Sequence, residues 1–312
     1  MSAAIRHLIS LDDLTDQDLR AIVGRAGHLA AQPRSAATSL RGDVVGIYFR
    51  RTSTRTRTAF SSGALRLGAQ IVAYGPGDLQ TNTGESIEDT GRVLATMLDV
   101  LVARTADDPA HLRAMAAQQR MAVINAMSED EHPTQALADL TTVVQRFGRV
   151  DGLRMLYVGE GNNSAAALAL ALSRFPGAEL HLRTPPGYGL TADVLARAEA
   201  HAERCGALVV ESHDPDDVPP SIDVVYTTRW QTTGTTKPDP DWRTIFAPFQ
   251  VTEKLWESSP EAVFMHDLPA HRGEEVTAEV LDGPHSIAFI QAENKLYSAM
   301  AALEWCRGRE LL

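Results

Sequence analysis

The sequence predicts a two-domain α/β protein built on parallel sheets. Short runs of β-branched and other apolar residues alternate with helical patterns along almost the whole chain, which is the rhythm of βαβ units. At 312 residues the chain exceeds the usual size of one domain. With 44% hydrophobic and 22% charged residues, each half has enough apolar side chains to form its own core.

Four strands are expected in the first half, with helical patterns between and around them. The first helix lies within residues 10–31, where residues suited to an N-cap precede an apolar helical period. Residues 140–154 contain the end of a long helix, a turn marked by glycine and the start of a new strand, so we place the domain boundary there. The strands are expected at residues 44–49, 70–75, 100–104 and 122–127.

Five further strands are expected in the second half, at residues 154–160, 179–184, 207–212, 223–228 and 262–267. The segment 232–242 interrupts this rhythm, and its glycine, proline and threonine content is typical of a mobile loop. The apolar period of residues 290–306 predicts a last helix, which is expected to pack back on the first domain. The predicted division is residues 1–148, residues 149–290 and a C-terminal helical segment, residues 291–312.

The composition excludes several classes of partner. A formal net charge of −11 argues against binding to nucleic acid or to an anionic membrane, because neither supplies positive charge to an acidic surface. Any anionic ligand must therefore be held by a local basic site. The two cysteines, Cys205 and Cys306, match no metal-site spacing, and the N-terminus lacks the apolar core of a secretory signal. These features favour a cytoplasmic protein that does not cross a membrane.

The stretch FRRTSTRTRTAF carries the strongest local signal. It follows a predicted strand and precedes a helical run, and Ser53, Thr54 and Thr56 are typical of a helix N-terminus. The N–H groups of such a turn, together with Arg55 and Arg57, offer several donors to one anion, which suits a phosphate group. The alternative is an exposed basic turn that only caps its helix. The stretch is not a P-loop, since it lacks the glycine-rich run and the lysine of that motif.

A histidine and an arginine accompany this stretch. His132 precedes Pro133 and Gln135 at the start of a predicted helix, and proline suits the first helical turn. Arg104 ends a predicted strand at the same edge of the sheet. Beside a phosphate site, His132 is suited to donate to a carbonyl oxygen. The alternatives are a structural role for His132 and a surface position for Arg104.

Four motifs together resemble one enzyme family. STRTR, ESIEDT, HPTQALADL and HDLPAHRGEEV are similar to motifs of the aspartate and ornithine carbamoyltransferases, and the resemblance extends over nearly the whole chain. It implies two doubly wound, Rossmann-like α/β domains linked by helices, and a homotrimer, or a multiple of trimers, with shared active sites. It also implies transfer of a carbamoyl group from carbamoyl phosphate to an amine without a metal or an organic cofactor.

The resemblance implies a role for each matching residue of the donor site. Thr56, Arg104 and His132 would polarise the carbonyl oxygen, while Gln135 and the Leu268 backbone would orient the carbamoyl nitrogen. Two further contacts would come from Gln80, in a loop that reaches a neighbouring subunit's site, and from Lys295, which replaces an arginine of the ornithine-type members. The alternative for the Gln80 loop is a mobile polar loop. The residues that would hold the phosphate are Ser53, Thr54, Arg55, Thr56 and Arg104.

The acceptor site shows mixed features. The segment YVGEGNNSAAALALAL is close to the ornithine-type pattern, in which the second asparagine, here Asn163, contacts the amino acid. Thr228 replaces the aspartate that would bind the α-amino group of ornithine, and Thr232-Thr233 replaces a Ser-Met pair. Arg229 and Gln231 instead resemble the pair that binds a substrate carboxylate in the aspartate-type members, and their donors suit that group. Alternatively, Arg229 turns to solvent.

Asp267 departs from both branches of the family, which carry cysteine or proline at this position. A carboxylate about 4 Å from a phosphate charge costs about 4 kcal/mol at an effective dielectric constant near 20, unless a cation intervenes. We therefore expect an acceptor with a carboxylate for Arg229, a resting ammonium for Asp267 and a second amine that attacks. A 2,3-diaminopropionate-like acceptor fits, as does ornithine held in a different pose. Alternatively, Asp267 pairs internally with His266, His271 or Arg272.

Other functions fit the sequence less well. Aspartate is disfavoured as the acceptor, because the lysines of the aspartate-type loop and the arginine of the aspartate-type Pro-Leu-Pro-Arg turn are missing. A non-catalytic relative that only binds carbamoyl phosphate is expected to lose part of the donor site, which is intact here. A nucleotide-dependent oxidoreductase is disfavoured, because no G-x-G-x-x-G follows the first strand.

Overall fold

The computed structural model describes residues 5–33, 38–232 and 235–311 of the chain. These residues divide into two compact units: one runs to Arg146 and resumes at Glu293, and the other is Phe147–Ala292. Each unit is built around one parallel β-sheet, of four strands in the first and five in the second. None of the helices in the described ranges combines the length and the apolar character needed to cross a bilayer.

The first sheet has the strand order β2-β1-β3-β4, with all neighbours parallel. Three of these strands are almost fully buried, which explains why each reads as an unbroken apolar run. The strands are β1 Val44–Phe49, β2 Gln70–Tyr74, β3 Val100–Arg104 and β4 Ala122–Asn125, and the helices are α1 Asp16–Ala31, α2 Arg55–Arg66, α3 Ile87–Leu94, α4 Ala110–Ala116 and α5 Pro133–Phe147.

The second sheet has the strand order β7-β6-β5-β8-β9, again with all neighbours parallel. Strand β5 lies at its centre, and the chain winds outward from it in both directions, as in doubly wound α/β folds. The strands are β5 Arg154–Val158, β6 Glu179–Arg183, β7 Leu208–Ser212, β8 Val224–Thr227 and β9 Val263–His266, and the helices are α6 Asn163–Leu172, α7 Ala192–Cys205, α8 Trp242–Phe246, α9 Ala278–Leu281 and α10 Ala288–Cys306.

The N-terminal helix is shorter than the sequence pattern predicts. Ser10 caps a single 3-10 turn, Leu11–Asp13, and the α-helix starts only at Asp16. Thr15 caps that helix and forms a capping box with Asp18, which satisfies N–H groups of the first turn. The sequence between residues 10 and 31 thus contains two cap signals, and the chain uses both.

The last helix, α10, begins at Ala288, two residues before the predicted start, and ends at Cys306. Its C-terminal part belongs to the first unit. There Glu304 accepts from Arg25 Nε at 2.7 Å, and Trp305 Nε1 donates to Asp18 Oδ1 at 2.8 Å. Two long-range contacts therefore fix this helix against α1.

Candidate active site

The arginine-rich loop and Arg104 lie at the same edge of the first sheet. Strand β1 has β2 on one side and β3 on the other, so the connections that follow β1 and β3 diverge at their carboxyl ends, where α/β sheets bind ligands. Phe49 at the end of β1 is paired with Arg104 at the end of β3. The Arg50 N–H donates to the Arg104 carbonyl at 3.0 Å, and the Arg50 guanidinium pairs with Asp107.

Helix α2 presents its N-terminus at this edge. Thr54 occupies the N-cap position, but its side chain makes no capping hydrogen bond. The alternative role predicted for this stretch, a turn that only caps its helix, is therefore not filled by Thr54. The first turn of this described helix contains no acidic residue. Thr56 is buried, Ser53 and Arg55 are half-buried, and Arg57 is exposed. The turn therefore combines hydroxyl, guanidinium and backbone N–H donors, as an anion site requires.

His132 follows β4 in a loop that is held from both sides. Glu131 accepts hydrogen bonds from the Ser10 hydroxyl at 2.6 Å and from the Leu11 N–H at 2.7 Å. Asn125, the last residue of β4, donates to Ser128 Oγ at 3.0 Å. The two contacts of Glu131 are buried and join residues more than a hundred positions apart, so the position of His132 is fixed by the fold.

The imidazole of His132 is held in its neutral form. The ring is buried, and Thr134 Oγ1 lies 3.3 Å from Nδ1. Burial holds the pKa of His132 well below its usual value, and the nearby charges of Lys295 and Arg104 lower it further. A neutral imidazole carries one N–H donor, which suits hydrogen bonding to a carbonyl oxygen.

Gln135 and Lys295 form one buried chain of hydrogen bonds with Asp139. The Lys295 ammonium donates to Gln135 Oε1, and Gln135 Nε2 donates to Asp139 Oδ1 at 2.7 Å. Asp139 is completely buried and lies one helical turn after Gln135, so it orients the amide. These hydrogen bonds bring the positive charge of Lys295, on α10, to the start of α5.

No contact among the described residues brings Gln80 into this group. It lies in an exposed 3-10 turn, Gln80–Thr83, after the outer strand β2. Its side-chain Oε1 and its backbone carbonyl both accept from Thr83 Oγ1 at 2.8 Å. The residue is therefore engaged within its own turn.

The second sheet has a corresponding edge. Strand β5 lies between β6 and β8, so the loops after β5 and β8 diverge at the carboxyl ends of these strands. Val158 pairs with Thr227, and Thr227 pairs with His266 at the end of β9. The segments that follow these three strands contain Asn163, Thr228 and Asp267, so the structure brings the predicted acceptor residues to one edge.

Thr228 is buried and held by two partners. Asn162 caps α6 and its Nδ2 donates to Thr228 Oγ1 at 2.9 Å. The Tyr157 hydroxyl lies 2.8 Å from Thr228 Oγ1 and donates to the Glu160 carbonyl at 2.6 Å, so the Thr228 hydroxyl is the donor to Tyr157. One acceptor lone pair of Thr228 remains for a further N–H donor.

The other acceptor candidates lie close by in the chain. Asn163 is the first residue of α6 and is buried. Arg229 and Gln231 are half-buried after β8, and Gln231 Nε2 donates to the Thr235 carbonyl at 2.8 Å. Thr233, one of the two threonines in place of the Ser-Met pair, lies outside the described residues.

Asp267 accepts one hydrogen bond from the residues that the structure describes, from Ser164 Oγ to Oδ2 at 3.1 Å. Its Oδ1 lies 3.6 Å from His266 Nδ1, which is within ion-pair distance. However, His266 Nδ1 accepts the Leu268 N–H at 2.8 Å, so it carries no proton to share with Asp267. The His266 proton lies on Nε2, which faces Glu275 Oε1 at 3.2 Å. The predicted internal pairing with His266 is therefore a contact with a neutral ring.

Arg272 and His271 are engaged elsewhere. Arg272 forms a bidentate pair with Asp282, at 2.6 and 2.8 Å. His271 Nδ1 lies 3.6 Å from Glu274 Oε2. Among the described residues, His266 is therefore the sole titratable basic side chain within ion-pair distance of Asp267.

Leu268 has an unusual backbone. Its φ is +53°, in the left-handed region that residues with a Cβ seldom adopt, and the Leu268-Pro269 peptide bond is cis. The N–H contact with His266 fixes this conformation.

Several residues of these edges were not predicted from the sequence. Asp139, Tyr157, Asn162 and Ser164 each bind a predicted residue through a side chain. Gln135 and Asp139 are four residues apart and so share one helix face, and this spacing could have predicted their pairing. The contact of Ser164 with Asp267 joins two segments that are far apart in the sequence, so no local sequence pattern predicts it.

His271, Glu274 and Glu275 form a cluster whose potential metal-ligand atoms lie within 4.8 Å of one another. Glu275 Oε1 already accepts from His266 Nε2 and from the His271 N–H. These hydrogen bonds explain why the three side chains lie together, and we assign no metal to them.

Two family models match the chain. Residues 6–145 match the model described as "Aspartate/ornithine carbamoyltransferase, carbamoyl-P binding domain". Residues 151–306 match the model described as "Aspartate/ornithine carbamoyltransferase, Asp/Orn binding domain". The two matches cover most of the two compact units.

Similar proteins cover nearly the whole chain. An ornithine carbamoyltransferase of Thermococcus kodakarensis is 37% identical over 311 residues, which cover 99% of this chain and 98% of that protein. One from Nostoc sp. is 39% identical over 307 residues, 98% of each. The structure of the Pyrococcus furiosus ornithine carbamoyltransferase superposes with a TM-score of 0.90 at 36% identity and covers 97% of both chains. The predicted pair of doubly wound α/β domains is thereby confirmed.

Proposed function

The chain belongs to the aspartate/ornithine carbamoyltransferase family, and from this we propose that it transfers the carbamoyl group of carbamoyl phosphate to one amine of a diamino acid. The acceptor is 2,3-diaminopropionate-like, or ornithine held in a different pose. The observation that carries this proposal is Asp267, a half-buried carboxylate whose basic neighbour His266 is neutral.

The donor site is proposed at the edge of the first sheet. The phosphate would be bound by Ser53, Thr54, Arg55 and Thr56 at the start of α2, together with Arg104. These groups supply the several hydrogen-bond donors that the oxygens of a phosphate require. The ammonium of Lys295 adds positive charge beside Gln135, which would accept from the carbamoyl nitrogen through its second Oε1 lone pair, as would the Leu268 carbonyl. Gln80 would join from a neighbouring subunit.

The acceptor site is proposed at the edge of the second sheet. Arg229 and Gln231 would bind the carboxylate of the amino acid, and Asn163 would contact its backbone atoms. Thr228 retains one acceptor lone pair for an ammonium N–H, as deduced from its two partners. Asp267 would compensate the positive charge of the amine that does not react.

The chemistry requires little beyond these groups. The uncharged amine attacks the carbonyl carbon, negative charge develops on the oxygen, and a donor preorganised at that oxygen lowers the barrier by about 3 kcal/mol. Neutral His132, Thr56 and Arg104 are the proposed donors. The carbon–oxygen bond to phosphate then breaks, and the departing phosphate accepts the proton of the amine, so no protein base is needed.

A homotrimer, or a multiple of trimers, is proposed as the working assembly. Large apolar side chains are exposed on the first unit, among them Leu65, Val93 and Met97, which are 56%, 47% and 67% exposed. Exposed apolar groups of this size are typical of surfaces covered by a second subunit. Sedimentation analysis tests this proposal.

The decisive experiment is phosphate release from carbamoyl phosphate with a panel of about twenty amines, chosen to include diamino acids of each length, ornithine and aspartate. We expect a short diamino acid to give the highest kcat/KM. Equal or better turnover with aspartate would contradict the proposal. Absence of release with every amine would support the alternative of a non-catalytic carbamoyl phosphate-binding relative.

A further inference from the structure

A buried lysine lies in the segment that was expected to be a mobile loop. The chain contains only three lysines, Lys237, Lys254 and Lys295, among 29 lysines and arginines. The side chain of Lys237 is 2% exposed, whereas that of Lys254 is 77% exposed. A lysine is seldom buried to this extent unless it is paired, so its surroundings require an explanation.

The ammonium of Lys237 is enclosed by four side chains, Glu160, Tyr188, Trp242 and Phe246, which we call the ammonium box. It pairs with Glu160 Oε1. Its nitrogen lies 5.0 Å from the centre of the Tyr188 ring, 5.5 Å from that of Trp242 and 4.7 Å from that of Phe246. These distances are within the range of cation–π attraction. A compact ammonium fits among three rings where a planar guanidinium would need a stacking surface.

The box is built by segments that follow three different strands of the second sheet. Gly161, next to Glu160, donates to the Tyr188 carbonyl at 2.8 Å. A Cβ at Gly161 would lie 2.3 Å from the Gly189 carbonyl carbon, so only glycine permits this approach. The rings of Tyr188 and Phe246 are 4.8 Å apart at 67°. The box is therefore a preformed part of the second unit.

Lys237 is the cation that compensates Glu160. Burial raises the pKa of Glu160 and lowers the pKa of Lys237, and their mutual pairing opposes both shifts. Glu160 Oε2 is buried and accepts no hydrogen bond from the described residues. Removal of Lys237 alone would therefore leave an uncompensated buried carboxylate, which is strongly unfavourable.

The box is coupled to the proposed carboxylate-binding pair through the chain. The side-chain N–H of Gln231 donates to the carbonyl of Thr235, which lies two residues before Lys237. Trp230, between Arg229 and Gln231, packs in the same aromatic cluster, with its ring 5.6 Å from that of Phe246. Trp230 and Lys237 are thus both anchored against the ring of Phe246.

We propose that Lys237 is a positioning residue for the acceptor site: its ammonium, held in the box, fixes residues 235–237. Through the contact of Gln231 with Thr235, this makes Arg229 and Gln231 face the carboxylate of the acceptor. This inference rests on the proposed function, because it assumes that these two side chains bind the acceptor. It assigns Glu160, Tyr188, Trp242 and Phe246 to the support of that pair.

The first test is lysine acetylation of the native protein by an amine-reactive ester, followed by peptide mass spectrometry. We expect Lys254 to be modified while Lys237 is protected by at least tenfold in rate. Modification of Lys237 at the rate of Lys254 would overturn the proposal. This readout does not depend on turnover, so it is separate from the proposed function. The proposed function fails instead if none of the amines tested supports phosphate release by the wild-type protein.

The second test is steady-state kinetics of Lys237→Met. We expect the KM for the acceptor to rise about tenfold, the equivalent of one weakened hydrogen bond to a charged group, while the KM for carbamoyl phosphate stays within about twofold. Lys254→Met is the matched control and should leave both values unchanged. An unchanged acceptor KM in Lys237→Met would contradict a positioning role.

A double variant separates positioning from stability. Glu160→Gln removes the buried charge that Lys237→Met leaves behind, so the double variant should regain thermal stability relative to Lys237→Met. We expect its acceptor KM to stay raised by about tenfold, because the ammonium is still missing. Recovery of both stability and acceptor KM would show that Lys237 serves only as a counter-ion, and would overturn the proposal.

Discussion

Replacing Asp267 by asparagine isolates the charge of this side chain from its shape. The amide oxygen of asparagine can still accept the hydrogen bond from Ser164 Oγ, now 3.1 Å from Asp267 Oδ2. The contact with neutral His266 involves no shared proton and is not lost. What the substitution removes is the negative charge proposed to face the resting ammonium of the acceptor.

The magnitude follows from the exposure of this carboxylate. Two unit charges about 4 Å apart attract by about 4 kcal/mol at an effective dielectric constant near 20. The Asp267 side chain is 18% exposed, and water reaching it reduces the attraction. We therefore take about 2 kcal/mol, typical of a hydrogen bond to a charged group, which corresponds to a rise of about 30-fold in the acceptor KM.

The assay is phosphate release with the best diamino acid, at saturating carbamoyl phosphate. Asp267→Asn should raise the acceptor KM as stated and leave the KM for carbamoyl phosphate within about twofold, because the charge acts on the acceptor. Asp216→Asn serves as the control, since that side chain is 88% exposed. A change in acceptor KM of less than about threefold, for every diamino acid tested, would refute the role of Asp267.

Three further changes test other parts of the structure. His132→Gln should lower kcat by about 100-fold if the ring donates to the developing oxyanion. Because the folded-state pKa of His132 lies well below 6.5, stability due to its neutral ring should be complete above pH 6.5 and decline as the pH falls, as urea melts at pH 5 and 7 would measure. Gly161→Ala should reduce the free energy of unfolding by about 1–3 kcal/mol through its clash with the 189–190 backbone, whereas Gly24→Ala, with nothing within 4 Å, should not. Thr228→Val should cost about 1–3 kcal/mol by leaving the Asn162 amide without its acceptor, and Thr228→Ser should restore the stability.

The strands were the most predictable part of the fold. The bounds of β1 and β3 agree with the predicted ones residue for residue, because buried parallel strands read as continuous apolar runs between polar ends. Helix ends were less predictable. At the N-terminus Ser10 and Thr15 are both good caps, and the sequence alone does not indicate that the first starts only a 3-10 turn.

The candidate site was predictable where its residues follow strands directly. Arg104 and Asp267 could be placed at sheet edges because each comes at the end of an apolar run. The partners that hold them were not predictable, since Ser164 and Asp267 are 103 residues apart and no local pattern connects them. The burial of Lys237 was not predictable for the same reason: glycine, proline and threonine around it indicate a loop, and the aromatic rings that bury it come from distant segments.

The charges of the two sheet edges bear on which diamino acid reacts. In the role proposed for it, Asp267 would stabilise an ammonium, yet the attacking amine must be uncharged, so one carboxylate cannot serve a substrate with a single amine. On a short diamino acid the two ammonium groups lie close together and repel each other, which lowers the pKa of one of them. Such an acceptor brings one amine in neutral form and one charged, and it needs no protein base. In ornithine the amines are farther apart and this mutual effect is weaker, so the role proposed for Asp267 favours the shorter chain.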